Sequence, residues 1–98
     1  MDTSIRTRED RFEILLDGEA VGLTQFVDEG ERRHFFHTVV ADHLQGRGLA
    51  ADLVGHALDE TRRAGQQVVP TCSYVARYID EHPQYADLVA GGAQEPGA

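Results

Sequence analysis

The feature that most constrains this chain is a change in the spacing of its apolar residues at the segment HLQGRGLAADLV, from His43 to Val54. Before the segment, short runs rich in aromatic and β-branched residues predict strands. After it, apolar residues recur at helical spacing, as at Leu49 and Leu53. The glycines inside the segment therefore indicate a strand-to-helix turn, and the chain must combine a sheet with a helix.

The part before the turn predicts three consecutive antiparallel strands. The run RFEILLDGEAVGLTQFV reads as two strands joined at Asp17-Gly18, a dipeptide that suits a two-residue hairpin turn. A second turn at Gly30 leads into a third strand, RHFFHTVVAD. Regular alternation along that strand predicts two sets of side chains on opposite faces. One set is Phe35, His37 and Val39, and the other is Phe36, Thr38 and Val40.

The part after the turn predicts a helix, a short strand and a second helix. The first helix, LAADLVGHALDETRRAG, has arginines in its last turn and Gly65 just beyond its end. The strand QQVVPTCSYV is interrupted at Pro70, and the helix SYVARYIDEHP ends near His82 because Pro83 disfavours helix before it. The run QYADLV adds another helical turn. The order β-β-β-α-β-α predicts an α+β domain, with the main helix packed on a mostly antiparallel sheet and the last strand parallel to the third.

Length and charge predict one domain and exclude one class of partner. With 98 residues, we expect a single domain over residues 11–90, a flexible polar segment at 1–10 and a disordered tail at 91–98. The net charge is −8, and the basic residues are nine scattered arginines. This balance argues against nucleic acid as the main partner and favours cationic or amine-bearing ligands.

Cysteine, histidine and apolar content predict a cytoplasmic protein with no metal and no membrane segment. Cys72 is the only cysteine, which excludes an intramolecular disulfide and a four-cysteine zinc site. His34 and His37 lie at odd spacing on a strand, so they point to opposite faces and make a poor metal pair. The N-terminus lacks the apolar core of a signal peptide, and no apolar run approaches the roughly 20 residues that span a bilayer.

The glycine turn has several possible interpretations as a ligand site. A P-loop requires a lysine after its second glycine, and the chain has no lysine. Gly46-Arg47-Gly48 matches the letters of a dinucleotide fingerprint, but ADHLQ separates it from the strand and no acidic residue follows at the required distance. Two interpretations remain: a turn without a ligand, and a cradle in which the N–H groups at the helix start receive a pyrophosphate.

The segments HTVVADHLQGRGLA, PTCSYV and HPQYADLV together resemble the minimal, single-domain, YjdJ-like group of the GCN5-related N-acetyltransferase (GNAT) superfamily. That group typically shows a His-Thr-Glu-Val strand end, a Gly-Arg-Gly turn, a Cys-x-Tyr segment and a His-Pro-x-Tyr. In addition, Gln45-x-x-Gly48-x-Ala50 matches the superfamily signature Q/R-x-x-G-x-G/A. The resemblance covers about residues 11–90. It implies a reduced GNAT fold and an N-acetyltransferase that takes acetyl-CoA as cosubstrate and a small-molecule or protein amine as acceptor.

The resemblance also implies which residues bind coenzyme A and which react. The residues expected to contact the coenzyme are Thr38, Val39, Val40, Gln45, Gly46, Arg47, Gly48, Leu49 and Ala50. Cys72 is expected to accept the acetyl group or to line the thioester pocket, while His37 is a candidate general base. Tyr74 is a candidate for protonating the departing thiolate. Val39 replaces the glutamate of the group, so a mechanism that relies on that carboxylate does not carry over.

Two other classes of function stay open from the sequence. One is a module that binds coenzyme A or acyl-CoA without turnover, in keeping with Val39 and with a chain too short to enclose an acceptor. The other is a structural or protein-interaction domain that has lost the ligand. The identity of the acceptor and the choice between a monomer and a homodimer are equally open.

Overall fold

The computed structural model describes residues 2–90, which form a five-stranded sheet with two α-helices and two short 3₁₀ helices. The strands are β1 (Thr3–Thr7), β2 (Arg11–Leu16), β3 (Glu19–Glu29), β4 (Arg32–Val40) and β5 (Gln67–Pro70). The α-helices are α1 (Leu49–Arg63) and α2 (Ser73–Glu81), and the 3₁₀ helices span Asp42–Leu44 and Pro83–Leu88. The strands lie side by side in chain order, which gives the predicted α+β class with a mostly antiparallel sheet.

The predicted three-stranded meander is present as β2, β3 and β4. At the β2–β3 turn, Asp17 and Gly18 have φ values of 51° and 88°, and a type I′ hairpin turn requires positive φ at both residues. The strand β5 pairs with β4 in parallel, and the ladder ends where Phe35 lies opposite Pro70. The last strand therefore runs parallel to the third strand of the meander, as predicted.

The N-terminal segment contributes a strand that was not predicted from the sequence. The strand β1 is antiparallel to β2, with Ile5 opposite Ile14, and Ile5 packs against the core. The expectation of a flexible segment at 1–10 was therefore wrong for Thr3–Thr7. An edge strand needs hydrogen-bond partners on one side only, so its sequence can stay polar and largely exposed. Residues 91–98, expected to be a disordered tail, lie outside the described residues.

The strand β4 contains one extra residue at a single point of its ladder with β3. Phe26 of β3 lies opposite Phe35, and the next residue, Gln25, lies opposite His37. Phe36 is therefore left between two ladder pairs as a β-bulge. Because side chains alternate with a period of two, an extra residue moves every later side chain of the strand to the other face of the sheet.

The bulge makes the predicted alternation along this strand wrong beyond Phe35. Phe35 and Val40 are 1% and 6% exposed and both face the core, although regular alternation would separate them. Thr38 shares this core side with Val40. His37 and Val39, predicted on the same face as Phe35, are exposed on the opposite side of the sheet.

The helix α1 covers the core side of the sheet with one apolar stripe. Its most buried apolar side chains are Leu53, Val54, Ala57 and Leu58. Gly65, with φ of 74°, follows the helix end as predicted. The second helix also ends where expected, because α2 stops at Glu81, two residues before Pro83, and a 3₁₀ helix follows. These elements bring the start of α1, the start of α2 and the end of β4 to one side of the molecule.

Two features are absent from the part of the chain that the structure describes. Within residues 2–90, no helix combines the length and the apolar character that crossing a membrane requires. The same residues contain no group of three or more His, Cys, Asp or Glu side chains arranged to hold a metal ion.

Candidate functional site

A cavity of about 490 Å³ opens between the end of β4, the glycine turn and the first turns of α1 and α2. Its size lies within the usual range of small-molecule sites, about 300–1,000 Å³. The predicted residues that line it are Thr38, Val39, Val40, Gln45, Gly46, Gly48, Leu49, Ala50 and Tyr74. Leu44 and Ala51 also line it and were not predicted. The structure thus brings Tyr74, at the start of α2, next to residues from the end of β4 and the start of α1.

One wall of the cavity is the free edge of β4. The parallel ladder with β5 ends at Phe35, yet β4 continues to Val40. After Pro70 the chain turns away from the sheet, and the backbone N–H of Cys72 donates to the carbonyl of Phe35 at 2.8 Å. Residues 36–40 of β4 therefore have no β5 partner, and part of their backbone edge borders the cavity.

The second wall is the start of α1, whose geometry depends on two glycines. Gly46 and Gly48 have φ values of 86° and 80°, a backbone region that L side chains rarely adopt. A Cβ at either position would meet nothing within 4 Å, so the glycines are needed for backbone conformation and not for space. Gly48 is the N-cap, and the helical hydrogen bonds begin with the N–H of Asp52, 3.0 Å from the carbonyl of Gly48.

This helix start presents several backbone donors to the cavity. The N–H groups of the first turn, at Leu49, Ala50 and Ala51, have no acceptor within the helix, and no side chain caps them. The positive end of the helix dipole adds to their attraction for an anion. Arg47 is exposed in the same turn. Gln45 braces the turn, because its Nε2 donates to the carbonyl of Val40 at 3.3 Å.

The two candidate groups at the start of α2 differ in exposure. Tyr74 is 37% exposed and lines the cavity, and burial raises the pKa of its hydroxyl. Cys72 is 9% exposed, and its Sγ lies 3.4 Å from Oγ1 of Thr38, which lines the cavity. The thiol therefore sits directly behind the cavity wall, while the phenol forms part of it.

His37 is not placed with the other candidate residues. Its side chain is exposed on the side of the sheet opposite the core, because the bulge at Phe36 turns it outward. Besides Leu44 and Ala51, sequence reasoning missed Thr24, which is fully buried and whose hydroxyl lies 2.9 Å from the hydroxyl of Thr38. No sequence signal could have found it, since the contact depends on the register between β3 and β4.

The fold and the cavity fit one class of protein, and the chain belongs to the GCN5-related N-acetyltransferase family, whose family model matches residues 11–88. A curated relative, Protein NATD1 of Xenopus tropicalis, is 33% identical over an alignment of 88 residues that covers 83% of this chain and 80% of that protein. The solution structure of a GCN5-like protein from Staphylococcus aureus has a TM-score of 0.71 at 21% identity, covering 90% of this chain and 88% of that one.

A longer enzyme shares the same core. The ribosomal-protein-S18-alanine N-acetyltransferase of Escherichia coli has a TM-score of 0.60 at 20% identity. The match covers 76% of this chain and 52% of that enzyme. At these identities the structural matches show the fold alone, whereas the family match indicates an acetyltransferase.

Proposed function

We propose that the protein transfers an acetyl group from acetyl-CoA to an amine and binds the acetyl donor in the cavity between β4 and α1. The observation that carries this proposal is that the uncapped start of α1 and the free edge of β4 border one cavity. The N–H donors at the helix start suit a pyrophosphate, and the free strand edge beside them suits a long arm that contains amide groups. Coenzyme A contains both.

The turn would hold the pyrophosphate. The N–H groups of Leu49, Ala50 and Ala51 would donate to its oxygens, and Arg47 would supply a guanidinium that matches phosphate geometry. The positive φ values of the two glycines support this role, because they set the direction in which the chain enters the helix. Gln45 would act indirectly, since its amide is already bonded to the carbonyl of Val40.

The pantetheine arm would lie along residues 36–40 of β4, where the strand has no β5 partner. Its amide groups would pair with the free backbone edge as an added strand pairs with a sheet. The thioester would then lie near Thr38 and Tyr74, and a backbone N–H of β4 would polarise its carbonyl. This placement puts the reacting carbon close to the wall behind which Cys72 lies.

Two routes complete the transfer. In the direct route, the amine nitrogen attacks the thioester carbonyl, the C–S bond breaks, and the coenzyme thiolate takes a proton from Tyr74. The new amide nitrogen releases its extra proton to water, and the Tyr74 phenolate regains a proton from water. In the two-step route, Cys72 attacks first, acetyl-cysteine forms with loss of the coenzyme thiol, and the amine then attacks that intermediate. His37 can serve as a base only for an amine that approaches from the outer side of the sheet, where its side chain is exposed.

The acceptor we propose is a small-molecule or protein amine. A chain with a net charge of −8 attracts cationic partners, and Val39 stands where the group that the chain resembles typically has a glutamate. We therefore expect the acceptor to be deprotonated by another group or to arrive as a neutral amine. The reaction requires no metal under this proposal.

Binding of the donor is tested by a charge placed at the cradle. Gly48→Glu should weaken acetyl-CoA binding by more than about tenfold, because a carboxylate would stand beside the pyrophosphate site. Gly65→Glu is the matched control: it makes the same change at a glycine with φ of 74°, in open space, beyond the other end of α1. Calorimetric titration of both variants and of the unchanged protein gives the comparison. Equal affinity in all three proteins would contradict the proposed cradle.

The two routes are distinguished by the mass of the protein after incubation with acetyl-CoA alone. The two-step route predicts an added acetyl group that is lost on addition of an amine and is absent from Cys72→Ser. Because Cys72 is the only cysteine, no other thiol can carry the label. An active protein that never gains the acetyl group would rule out a stable acetyl-cysteine and leave the direct route.

A further inference from the structure

Three polar side chains from three different elements meet at the cavity wall. Thr24 of β3 and Thr38 of β4 have their hydroxyl oxygens 2.9 Å apart, and the Sγ of Cys72, at the start of α2, lies 3.4 Å from the hydroxyl of Thr38. We propose that Thr24 and Thr38 are positioning residues that hold the Cys72 thiol beside the cavity through this chain of hydrogen bonds.

The burial of these hydroxyls supports a role beyond packing. Thr24 is 0% exposed, and a valine there would fill the same space without the cost of removing a hydroxyl from water. The buried threonine of α1 shows the ordinary arrangement: Thr61 donates to the carbonyl of Ala57, one turn earlier in its own helix, at 2.8 Å. Thr24 is instead bonded across strands to a residue that contacts the thiol.

The contact between Thr38 and Cys72 depends on the bulge in β4. Phe35 faces the core, and regular alternation over the same residues, with no bulge at Phe36, would turn Thr38 to the outer side of the sheet. The backbone of Cys72 is held at the same point, through its N–H to the carbonyl of Phe35 at 2.8 Å. Backbone and side chain of the cysteine are thus both attached to β4, on either side of the bulge.

The hydrogen bonds that join the two hydroxyls and the sulfur can run in either direction. With the thiol protonated, the S–H of Cys72 donates to Thr38, and the O–H of Thr38 donates to Thr24. Each hydroxyl is both donor and acceptor, so the order can reverse, and Thr38 then donates to the sulfur without movement of any heavy atom. The sulfur therefore keeps one orientation whether it carries its proton or not. The value of this for catalysis rests on the proposed function.

The hydrogen bond itself is tested by the S–H stretching band in the infrared spectrum. The chain has one cysteine, so the band arises from Cys72 alone. We expect the band of the unchanged protein at lower wavenumber than that of a simple thiol in an apolar solvent. Thr38→Val should move it to higher wavenumber, Thr38→Ser should leave it in place, and Thr24→Val should move it part of the way, because Thr38 then loses its own acceptor.

Thr61→Val is the matched control, since it removes a buried threonine hydroxyl that contacts its own helix and not the thiol. It should lower stability without moving the S–H band. A band that already lies at the free-thiol position in the unchanged protein would overturn the proposal, whether or not Thr38→Val folds. An unmoved band in folded Thr38→Val would overturn it equally.

Measurements of binding and of acetyl transfer distinguish a failure of this proposal from a failure of the proposed function. Thr24 does not line the cavity, so Thr24→Val should keep the affinity for acetyl-CoA while lowering the rate of acetyl-cysteine formation by up to about tenfold, the value of one hydrogen bond. Shifted S–H bands together with no acetyl transfer in any variant would uphold the positioning contact and reject the catalytic use of the thiol.

Discussion

At the scale of single residues, Tyr85 shows how one hydroxyl joins two elements. Its Oη donates to Oδ1 of Asp59 at 2.7 Å, which connects the 3₁₀ helix after α2 to α1. The side chain is 7% exposed. Burial, together with the hydrogen bond to Asp59, raises the pKa of Tyr85 to about 12. The hydroxyl therefore keeps its proton at pH values where an unfolded chain would lose it.

Removal of this hydroxyl should change stability in a pH-dependent way. Because the folded pKa is raised, stability is full below the ordinary value of 10.0 and is lost as the pH rises toward about 12. Tyr85→Phe should cost about 1 kcal/mol at pH 7 and should weaken the loss above pH 10. Urea unfolding across this range measures both quantities.

The control for this experiment is Tyr74→Phe, whose hydroxyl is at the cavity and partly exposed. It should change the free energy of unfolding at pH 7 by no more than about 0.5 kcal/mol. If Tyr85→Phe unfolds like the unchanged protein at pH 7 and falls in parallel with it at alkaline pH, the link to Asp59 contributes nothing to the fold.

At the scale of elements, the close approach of β3 and β4 shapes the cavity end of the sheet. Gly22 lies opposite Val40. A Cβ on Gly22 would lie 2.9 Å from Cγ2 of Val40 and 3.0 Å from the carbonyl oxygen of Val39. Both partners line the cavity, and one of the contacts is with backbone that cannot rotate away. The glycine therefore sets the position of the strand that forms the cavity wall.

Gly22→Ala should displace the end of β4. We expect a loss of about 1–3 kcal/mol in unfolding free energy and a weaker affinity for acetyl-CoA, since Val39 and Val40 must move. Gly30→Ala, in the distant β3–β4 turn with φ of 59°, should also cost stability through backbone strain but should leave the affinity unchanged. Unchanged stability and affinity in Gly22→Ala would show that the sheet absorbs the methyl group elsewhere.

At the scale of the whole molecule, the features predicted correctly were those that depend on neighbours in the sequence. The turn at Asp17-Gly18, the end of α1 before Gly65 and the end of α2 before Pro83 each follow from local backbone preferences. The glycine turn before α1 belongs to this group, because the positive φ values of Gly46 and Gly48 follow from local backbone preference. The contacts with coenzyme A stay a prediction. Nearly all the predicted coenzyme contacts are local to two short segments.

The features that were not predicted depend on pairing between distant parts of the chain. The strand β1 has little apolar character of its own and exists because β2 offers it an edge. The bulge at Phe36 reflects the register between β3 and β4, which periodicity along one strand does not contain. The contact from Cys72 to Thr38 crosses 34 residues of sequence, and the place of Thr24 in the same chain of contacts depends on that register.

The bulge at Phe36 also sets which kinds of variation β4 can accept. Two residues separate Phe35 from Thr38, and the bulge at Phe36 absorbs one of them, so that Thr38 and Val40 face inward. Replacement of Phe36 by another side chain keeps the bulge, and deletion of Phe36 would restore regular alternation with the same two side chains inward. Insertion of one further residue without a second bulge would instead turn Thr38 and Val40 outward together. Relatives that keep this site should therefore have one or two residues at this point, and those with one should lack the bulge.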